Sequence, residues 1–224
     1  MKNELAVSSF FPFWEKMEQR HRDLIENRTN RLELSPGRII GGDDKSCLGL
    51  LLVISGRLKA FILSNQGREV SLYRLFERDI CLFTASCTMN NMNFEIQFEV
   101  EKKTSVYQIP PDVVEEIQSE SVEMAQYVVN LMTSRFSEVM WTIEQILFKS
   151  LDARLAAALI EQQAIDESDE LIITHDMLAK QMGSAREVVT RTLNYLKSEG
   201  LVEIGRGKIK ILDYNALYDI ANRD

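Results

Sequence analysis

Three charged side chains toward the C-terminus are of the types that read the edges of DNA bases: Arg186, Glu187 and Arg191. Arginine can donate two parallel hydrogen bonds to a guanine, and glutamate accepts a hydrogen bond from the amino group of cytosine. All three occur in a stretch of helical periodicity, in the N-terminal half of one predicted helix. These types at this spacing predict a helix that reads DNA, and an ordinary helical hairpin with a solvated charged face is the alternative.

Two short amphipathic helices within residues 174–193 must position these side chains. Leu178, Ala179 and Met182 form the inner face of the first helix, and Gly183 permits a tight turn after it. The second helix is held down by a further apolar set: Val188, Val189, Leu193 and Leu196. This pattern predicts a helix-turn-helix whose second helix can enter a major groove.

A short basic hairpin is predicted within residues 201–212, around the turn Gly205-Arg206-Gly207. Arg206, Lys208 and Lys210 lie in or beside that turn, where they could contact phosphates, and a solvated hairpin is the alternative for all three. The pattern is typical of a winged helix-turn-helix. The residues expected to contact the DNA backbone are Thr174, His175, Ser184, Ala185, Thr190, Arg206 and Lys208.

The distribution of charge favours a confined contact with DNA. The chain carries a net charge of −8, yet residues 174–212 hold seven Lys and Arg against four Asp and Glu. An acidic protein does not coat DNA at physiological salt, because phosphate contacts depend on clustered cations. The sequence therefore predicts specific binding to double-stranded DNA through this one basic region.

Composition excludes several classes of protein. The chain has 224 residues, 45% of them hydrophobic and 27% charged, which is typical of a soluble protein with room for two domains. No apolar run is long enough for a membrane span, and the N-terminus lacks the features of a signal peptide, so we expect a cytoplasmic protein without a membrane partner. No catalytic motif is present and only two histidines occur, which predicts no catalytic residues and no enzyme.

Short β-rich runs fill the chain from about residue 32 to 110. They are separated by turn signals at residues 41–44, 55–56 and 65–67 and predict a barrel or jelly roll. A helix around Phe11–Asn27 is expected before them. The predicted strands are 48–53, 58–63, 70–76, 94–100 and 105–109.

A long helix is predicted after Pro110-Pro111. Its apolar residues recur three and four positions apart, which is the pattern of a coiled coil. A second apolar stripe, Val128, Leu131 and Leu147, is available for packing on the β domain, although a seam packed wholly on that domain is the alternative. The predicted dimer seam is Val122, Ala125, Val129, Met132, Phe136, Val139, Ile143 and Ile146.

The order of β-roll, long helix and winged helix-turn-helix resembles the cyclic-AMP receptor protein / fumarate-nitrate reduction regulator (Crp/Fnr) family of bacterial transcription factors. Residues 183–193 are similar to that family's recognition helix, and 49–59 are similar to its strand-turn-strand motif. The resemblance implies an α+β fold: an N-terminal cyclic-nucleotide-binding-like β-roll over 1–111, a dimerisation helix over 112–148 and a C-terminal winged helix-turn-helix over 149–224.

The same resemblance implies a homodimer that regulates transcription. Arg186 and Arg191 would donate to guanines and Glu187 would accept from a cytosine, so the half-site would be of the TGTGA or TGA type in an inverted repeat. RNA polymerase would be a further partner of an activator. A ligand- or redox-sensing protein whose helix-turn-helix mediates protein association is the alternative.

The resemblance argues against cyclic AMP as the effector. Members that bind it carry a Gly-Glu-Leu stretch and an Arg-Ser pair, whereas the corresponding residues here are 80–87 and 92–95, without a cation to pair with a phosphate. On the long helix Val139-Met140 stands in place of the family's threonine-serine pair. A more apolar small molecule, a redox signal or no effector is implied, and no cofactor is identified.

Three cysteines, Cys47, Cys81 and Cys87, lie in the predicted sensor domain. They are too few and too widely spaced for an iron–sulfur cluster or a zinc knuckle, so no metal is expected from them alone. The main interpretation is that they are small buried hydrophobes. A thiol switch, or a site completed by another ligand such as His21, is the alternative.

Overall fold

The strand-like region forms one antiparallel sheet in the computed structural model, which describes residues 5–41, 48–65, 67–82 and 96–223. Its strands are β1 (Asn30–Leu34), β2 (Ile39–Ile40), β3 (Leu50–Leu63), β4 (Glu69–Leu75), β5 (Ile80–Cys81) and β6 (Gln97–Ile109). They pair in the order β1-β6-β3-β4, with β2 against β6 and β5 against β3. One core of the sheet includes Val53 and Leu58 of β3 and Val106 of β6, which are fully buried.

Strand β3 corrects the sequence prediction, because it joins the runs 48–53 and 58–63 into one strand. The predicted turn at Ser55-Gly56 is a bulge, at which the register with β6 shifts. Gly56 has φ 100°, and a Cβ there would lie 2.5 Å from the Lys103 carbonyl oxygen. A bulge and a turn favour the same residue types, since both require positive φ and close backbone approach. Strand β6 likewise joins most of the two runs predicted at 94–100 and 105–109.

The helix predicted over Phe11–Asn27 is wrong in its first half. Two 3₁₀ turns, Val7–Phe10 and Trp14–Lys16, precede helix α1 (Gln19–Arg28). Pro12 accounts for the interruption, because proline disfavours the helical conformation in the residue before it, and Phe11 is extended at φ −116° and ψ 100°.

Helices α2 (Pro111–Glu120) and α3 (Val122–Phe148) follow the sheet. The buried face of α3 carries Met124, Val128 and Arg135. Arg135 is buried as a paired charge, with Nη1 2.8 Å from Glu138 and Nη2 3.4 Å from Asp79. Leu147 was predicted to share this face, but its side chain is 68% exposed. The second stripe of α3 therefore runs through Val128 and Arg135 and ends before Leu147.

The C-terminal region folds around a core of its own. Its elements are α4 (Leu151–Asp166), β7 (Glu170–Leu171), α5 (His175–Met182), α6 (Arg186–Ser198), β8 (Val202–Gly205), β9 (Lys208–Ile211) and α7 (Tyr214–Ala221). Leu155, Leu178 and Val189 are fully buried in this core. Strand β7, which the sequence prediction missed, completes a sheet in the order β7-β9-β8. The predicted α+β fold class with a winged helix-turn-helix is confirmed.

The chain divides into two compact units, Met1–Ile62 with Leu72–Val139, and Leu63–Ser71 with Met140–Asp224. The domain boundaries expected after residues 111 and 148 stay predictions. Among the described helices, none is both long enough and apolar enough to cross a membrane.

Candidate nucleic-acid interface

The turn between α5 and α6 is fixed by its own hydrogen bonds. The hydroxyl of Thr174 accepts from the Met177 N–H at 3.2 Å and so caps the start of α5. At the other end Gly183 adopts the left-handed conformation, with φ 60° and ψ 33°. The Ser184 N–H then donates to the Ala179 carbonyl at 2.9 Å. This closure sets the direction in which α6 leaves the turn.

Helix α6 begins without a side-chain cap, because its N-cap residue is Ala185. The first N–H groups of a helix have no partner within it, and they carry the positive end of the helix dipole. Such an end is a ready site for an anion such as a DNA phosphate. Val189, Leu193 and Leu196 are fully buried and hold α6 against the core.

The three predicted base-reading residues lie on the outer side of α6. Arg186, Glu187 and Arg191 are all exposed. Within the described residues none of them makes a side-chain hydrogen bond or ion pair, so their donors and acceptors are available to a ligand. The structure thus brings two fork-shaped donors and one acceptor onto the exposed surface of one anchored helix.

His175 and Thr190 are brought together across the two helices. The Nδ1 atom of His175 lies 2.9 Å from the Thr190 hydroxyl oxygen. Burial of the ring, followed by the nearby Arg186 guanidinium, lowers the pKa of His175 below its ordinary value. The ring is therefore neutral near pH 7, and it links the start of α5 to the exposed side of α6.

The wing presents its three predicted cations differently. Arg206 lies exposed in the turn between β8 and β9. Lys208 is already paired, with Nζ 3.1 Å from each carboxylate oxygen of Glu170 on β7. Lys210 stands in register with Glu170 on one side and Glu203 on the other. Acidic neighbours thus partly neutralise the lysines of the wing, whereas Arg206 has no ion-pair partner among the described residues.

Sequence reasoning missed two residues that support this surface. The Arg154 guanidinium on α4 donates to the Met182 carbonyl at the end of α5, which fixes the last turn before Gly183. Glu170 holds Lys208. A signal for Arg154 existed, since it directly precedes the apolar segment Leu155–Ile160. In the structure, burial lowers the pKa of Arg154. No such signal marks Glu170.

The predicted sulfur site is described only in part. Cys81 lies on β5, opposite Leu51, and is 1% exposed in the core of the sheet. Cys47 and Cys87 lie outside the described residues. His21 is buried with its Nε2 3.0 Å from Glu120, so this imidazole is engaged with a carboxylate. The described ranges contain no group of His, Cys, Asp and Glu arranged to hold a metal ion.

Comparisons with known proteins agree with this geometry. The Crp-like helix-turn-helix domain model matches residues 153–220. A solved structure from Eubacterium rectale ATCC 33656, assigned to the Crp/Fnr family of transcriptional regulators, is 44% identical and has a TM-score of 0.93, covering 96% of this chain and 99% of that one.

Two further similarities come from Thermus thermophilus. The transcriptional regulator SdrP is 35% identical over 96 residues, which are 40% of this chain and about half, 48%, of SdrP. A solved CRP/FNR-family transcriptional regulator shares the fold, with a TM-score of 0.71 at 21% identity over 87% of this chain and 99% of that one. The near-complete match at 44% identity decides the assignment. The chain belongs to the Crp/Fnr family of transcriptional regulators and carries that family's helix-turn-helix DNA-binding domain.

Proposed function

We propose that the chain acts as a homodimer that binds an inverted repeat of TGTGA or TGA half-sites and regulates transcription in the cytoplasm. The observation that carries this proposal is the exposed set on α6. Arg186 and Arg191 would donate to guanines in the major groove, and Glu187 would accept from a cytosine amino group. Each of the three is exposed on a helix whose opposite face is fully buried, so reading DNA needs no rearrangement of the core.

Backbone contacts would fix the register of α6 in the groove. The uncapped N-terminus at Ala185 and the hydroxyl of Ser184 would face one phosphate group, while Thr174, His175 and Thr190 would face another at the start of α5. Arg206 would reach a flanking phosphate from the wing. Lys208 would do so only after it leaves Glu170.

The exposed row on α3 supports the homodimer. Val122, Val129 and Phe136 are 77%, 57% and 64% exposed, and Ala125 and Val139 are half-buried. Met132, Ile143 and Ile146 extend the same row toward the end of the helix. A second copy of α3 would bury all eight positions symmetrically, which removes a large apolar surface from water. Two half-sites about one helical turn apart on DNA would match the resulting two-fold axis.

The effector is proposed to be something other than cyclic AMP. Three of the cations on and beside the sheet are paired with carboxylates: Arg57 and Arg74 both contact Glu101, and Arg135 contacts Asp79 and Glu138. A phosphate bound by any of these three arginines would have to compete with their carboxylates. Cys81 is a poor redox sensor in this state, since its buried position keeps oxidants away. An activator would also contact RNA polymerase.

The test is a DNA-binding titration with a duplex that carries an inverted repeat of TGTGA, compared with a duplex of scrambled sequence. We expect the specific duplex to bind at least about a thousandfold more tightly at physiological salt, with affinity that falls steeply as salt is raised.

A module that mediates protein association would give a different result. It would bind neither duplex, and its partner affinity would lack the steep salt dependence that phosphate contacts impose. Equal affinity for the two duplexes would contradict sequence-specific reading while leaving a general contact with DNA.

A further inference from the structure

The start of α5 holds the one histidine of the helix-turn-helix. The chain has two histidines, and the other, His21, lies on α1 and is buried against Glu120. His175 is the first residue of α5, beside Thr174, whose hydroxyl caps that helix. The first turn of such a helix is where the proposed function puts a DNA phosphate.

One ring nitrogen of His175 has a hydrogen-bond partner among the described residues and the other has none. Nδ1 lies 2.9 Å from the hydroxyl oxygen of Thr190 on α6, so the orientation of the ring is fixed from the recognition helix. Nε2 has no hydrogen-bond partner among the residues that the structure describes. In a neutral ring either Nδ1 donates to the Thr190 hydroxyl and Nε2 cannot donate, or Nδ1 accepts from that hydroxyl and Nε2 carries the proton. The imidazolium carries a proton on Nε2 in either arrangement, together with a positive charge that a phosphate attracts.

Arg186 is the charged neighbour that acts on this ring. Partial burial of the imidazole and, to a smaller extent, the positive charge of Arg186 both disfavour the protonated form of His175 in the free protein. The charged groups on the two helices that pack with α5 are Arg186, Glu187, Arg191 and Lys197 on α6 and Asp152, Arg154, Glu161 and Asp166 on α4. Asp176 and Lys180 are the other charged residues of α5 itself.

We propose that His175 is a proton-linked contact with the DNA backbone: the protein takes up a proton at this ring when it binds DNA, and its affinity for DNA therefore rises as the pH falls. The inference rests on the proposed function. A phosphate within hydrogen-bonding distance of Nε2 favours the imidazolium. In the complex Arg186 would turn to a guanine, and the phosphate would offset its repulsion of the ring.

The sign of the effect follows from the two states of the ring. The pKa of His175 in the free protein is below its ordinary value, and a nearby phosphate raises it in the complex. Above both values the ring is neutral throughout, so the affinity does not change with pH. Between them binding takes up a proton at each ring, and the affinity increases with acidification by up to about tenfold per pH unit for each of the two rings of the dimer.

The experiment measures the affinity for the TGTGA inverted repeat by fluorescence anisotropy between pH 6 and pH 8 at constant ionic strength. We expect the wild type to bind roughly tenfold or more tightly at the acidic end. His175→Gln keeps a donor for Thr190 but cannot be protonated, so its affinity should not change with pH. His175→Arg carries a fixed charge and should bind tightly across the whole range.

A second measurement keeps the inference independent of how the variants fold. The chemical shifts of the two imidazoles in the wild type are followed by NMR as the pH is changed, with and without DNA. We expect the pKa of His175 to rise on DNA binding. In the free Arg186→Ala variant the pKa of His175 should be higher than in the free wild type.

The outcomes separate this inference from the proposed function. If the wild type did not bind the duplex at any pH, the proposed function would be contradicted. Binding that is specific but independent of pH would overturn only the role of His175, as would a pH dependence that persists in His175→Gln or an unchanged pKa of His175 in the complex.

Discussion

Helices α3 and α6 each expose a row of side chains, and the two rows differ in chemistry. On α3 the row is apolar, with Val129 and Phe136 more than half exposed in a single chain. On α6 it is charged, with Arg186 and Arg191 at the surface. Exposure of apolar side chains to water costs free energy, so the row on α3 favours a permanent interface that buries it. Charged side chains are well hydrated, so the row on α6 is stable alone and its ligand can bind and leave.

Under the proposed function, this difference separates a surface for assembly from a surface for recognition. The first should respond strongly to an added charge and weakly to salt, because it loses water when it forms. The second should respond strongly to the loss of a particular charge and to salt, because its affinity comes from paired charges. Variants on each helix can therefore confirm or contradict the assignment of the two rows.

The largest effect is expected from Phe136→Glu on α3. Burial of an unpaired carboxylate in each half of a coiled-coil seam costs about 3–5 kcal/mol, so the dimer should dissociate. Sedimentation at micromolar concentration measures the change. Ser134→Glu is the control, because it adds the same charge at an exposed polar position of the same helix. A wild type that sediments as a monomer would contradict the dimer seam.

The next effect is expected from Arg186→Ala and Arg191→Ala on α6. Each should lose about 1–3 kcal/mol of discrimination at one guanine position, because a bidentate contact to that base is removed. Glu187→Ala should relax the preference at a cytosine with little loss of affinity, since a carboxylate near phosphates is also removed. Binding to a set of single-base variants of the duplex measures all three.

Arg206→Ala is the control for these arginines. It should weaken binding to every duplex alike, because a phosphate contact carries no information on sequence. If Arg186→Ala and Arg191→Ala also weakened binding to all duplexes equally, both side chains would be assigned to phosphates.

An effect of similar size, on stability instead of recognition, is expected from Arg154→Met. The variant leaves the Met182 carbonyl without its charged donor, and such hydrogen bonds contribute about 1.5–3 kcal/mol. Urea denaturation measures the free energy of unfolding of the wild type and the variant. Arg154→Lys keeps a cationic donor and should recover part of the loss. Equal stability of Arg154→Met and the wild type would show that this hydrogen bond contributes nothing measurable.

The smallest effect is expected from Glu170→Gln in the wing. Exposed ion pairs contribute about 0.2–1 kcal/mol, and their loss frees Lys208 for a phosphate. Affinity for every duplex should rise slightly, with a steeper dependence on salt. Glu203→Gln removes the same charge from the neighbouring strand β8 without releasing Lys208. If the two variants bound identically, the pairing of Lys208 would have no part in the contact.

The helix-turn-helix was predictable because its constraints are local. Leu178, Ala179 and Met182 recur at helical spacing, and Gly183 supplies the one conformation that the turn needs. The sheet was harder to predict. Gly56 carries the residue type of a turn, but the strand continues through it as a bulge, and nothing near it in the sequence distinguishes the two.

The contacts that tune the candidate site were beyond prediction, because they join residues far apart in the sequence. Lys208 lies 38 residues from its partner Glu170, and Arg154 lies 28 residues from Met182. Periodicity places a residue on a face but does not say which side chain from another element it meets. The roles of Cys47 and Cys87 stay predictions, since both lie outside the described residues.

The missing side-chain cap at Ala185 also has a consequence for amide hydrogen exchange. The N–H groups of Arg186 and Glu187, which open α6, should exchange quickly with solvent in the free protein and slowly when a phosphate accepts from them. A serine at this position would cap the helix internally and stabilise the free protein by about 1 kcal/mol. The same hydroxyl would compete with a phosphate, so under the proposed function the uncapped helix lowers the stability of the free protein and strengthens its contact with DNA.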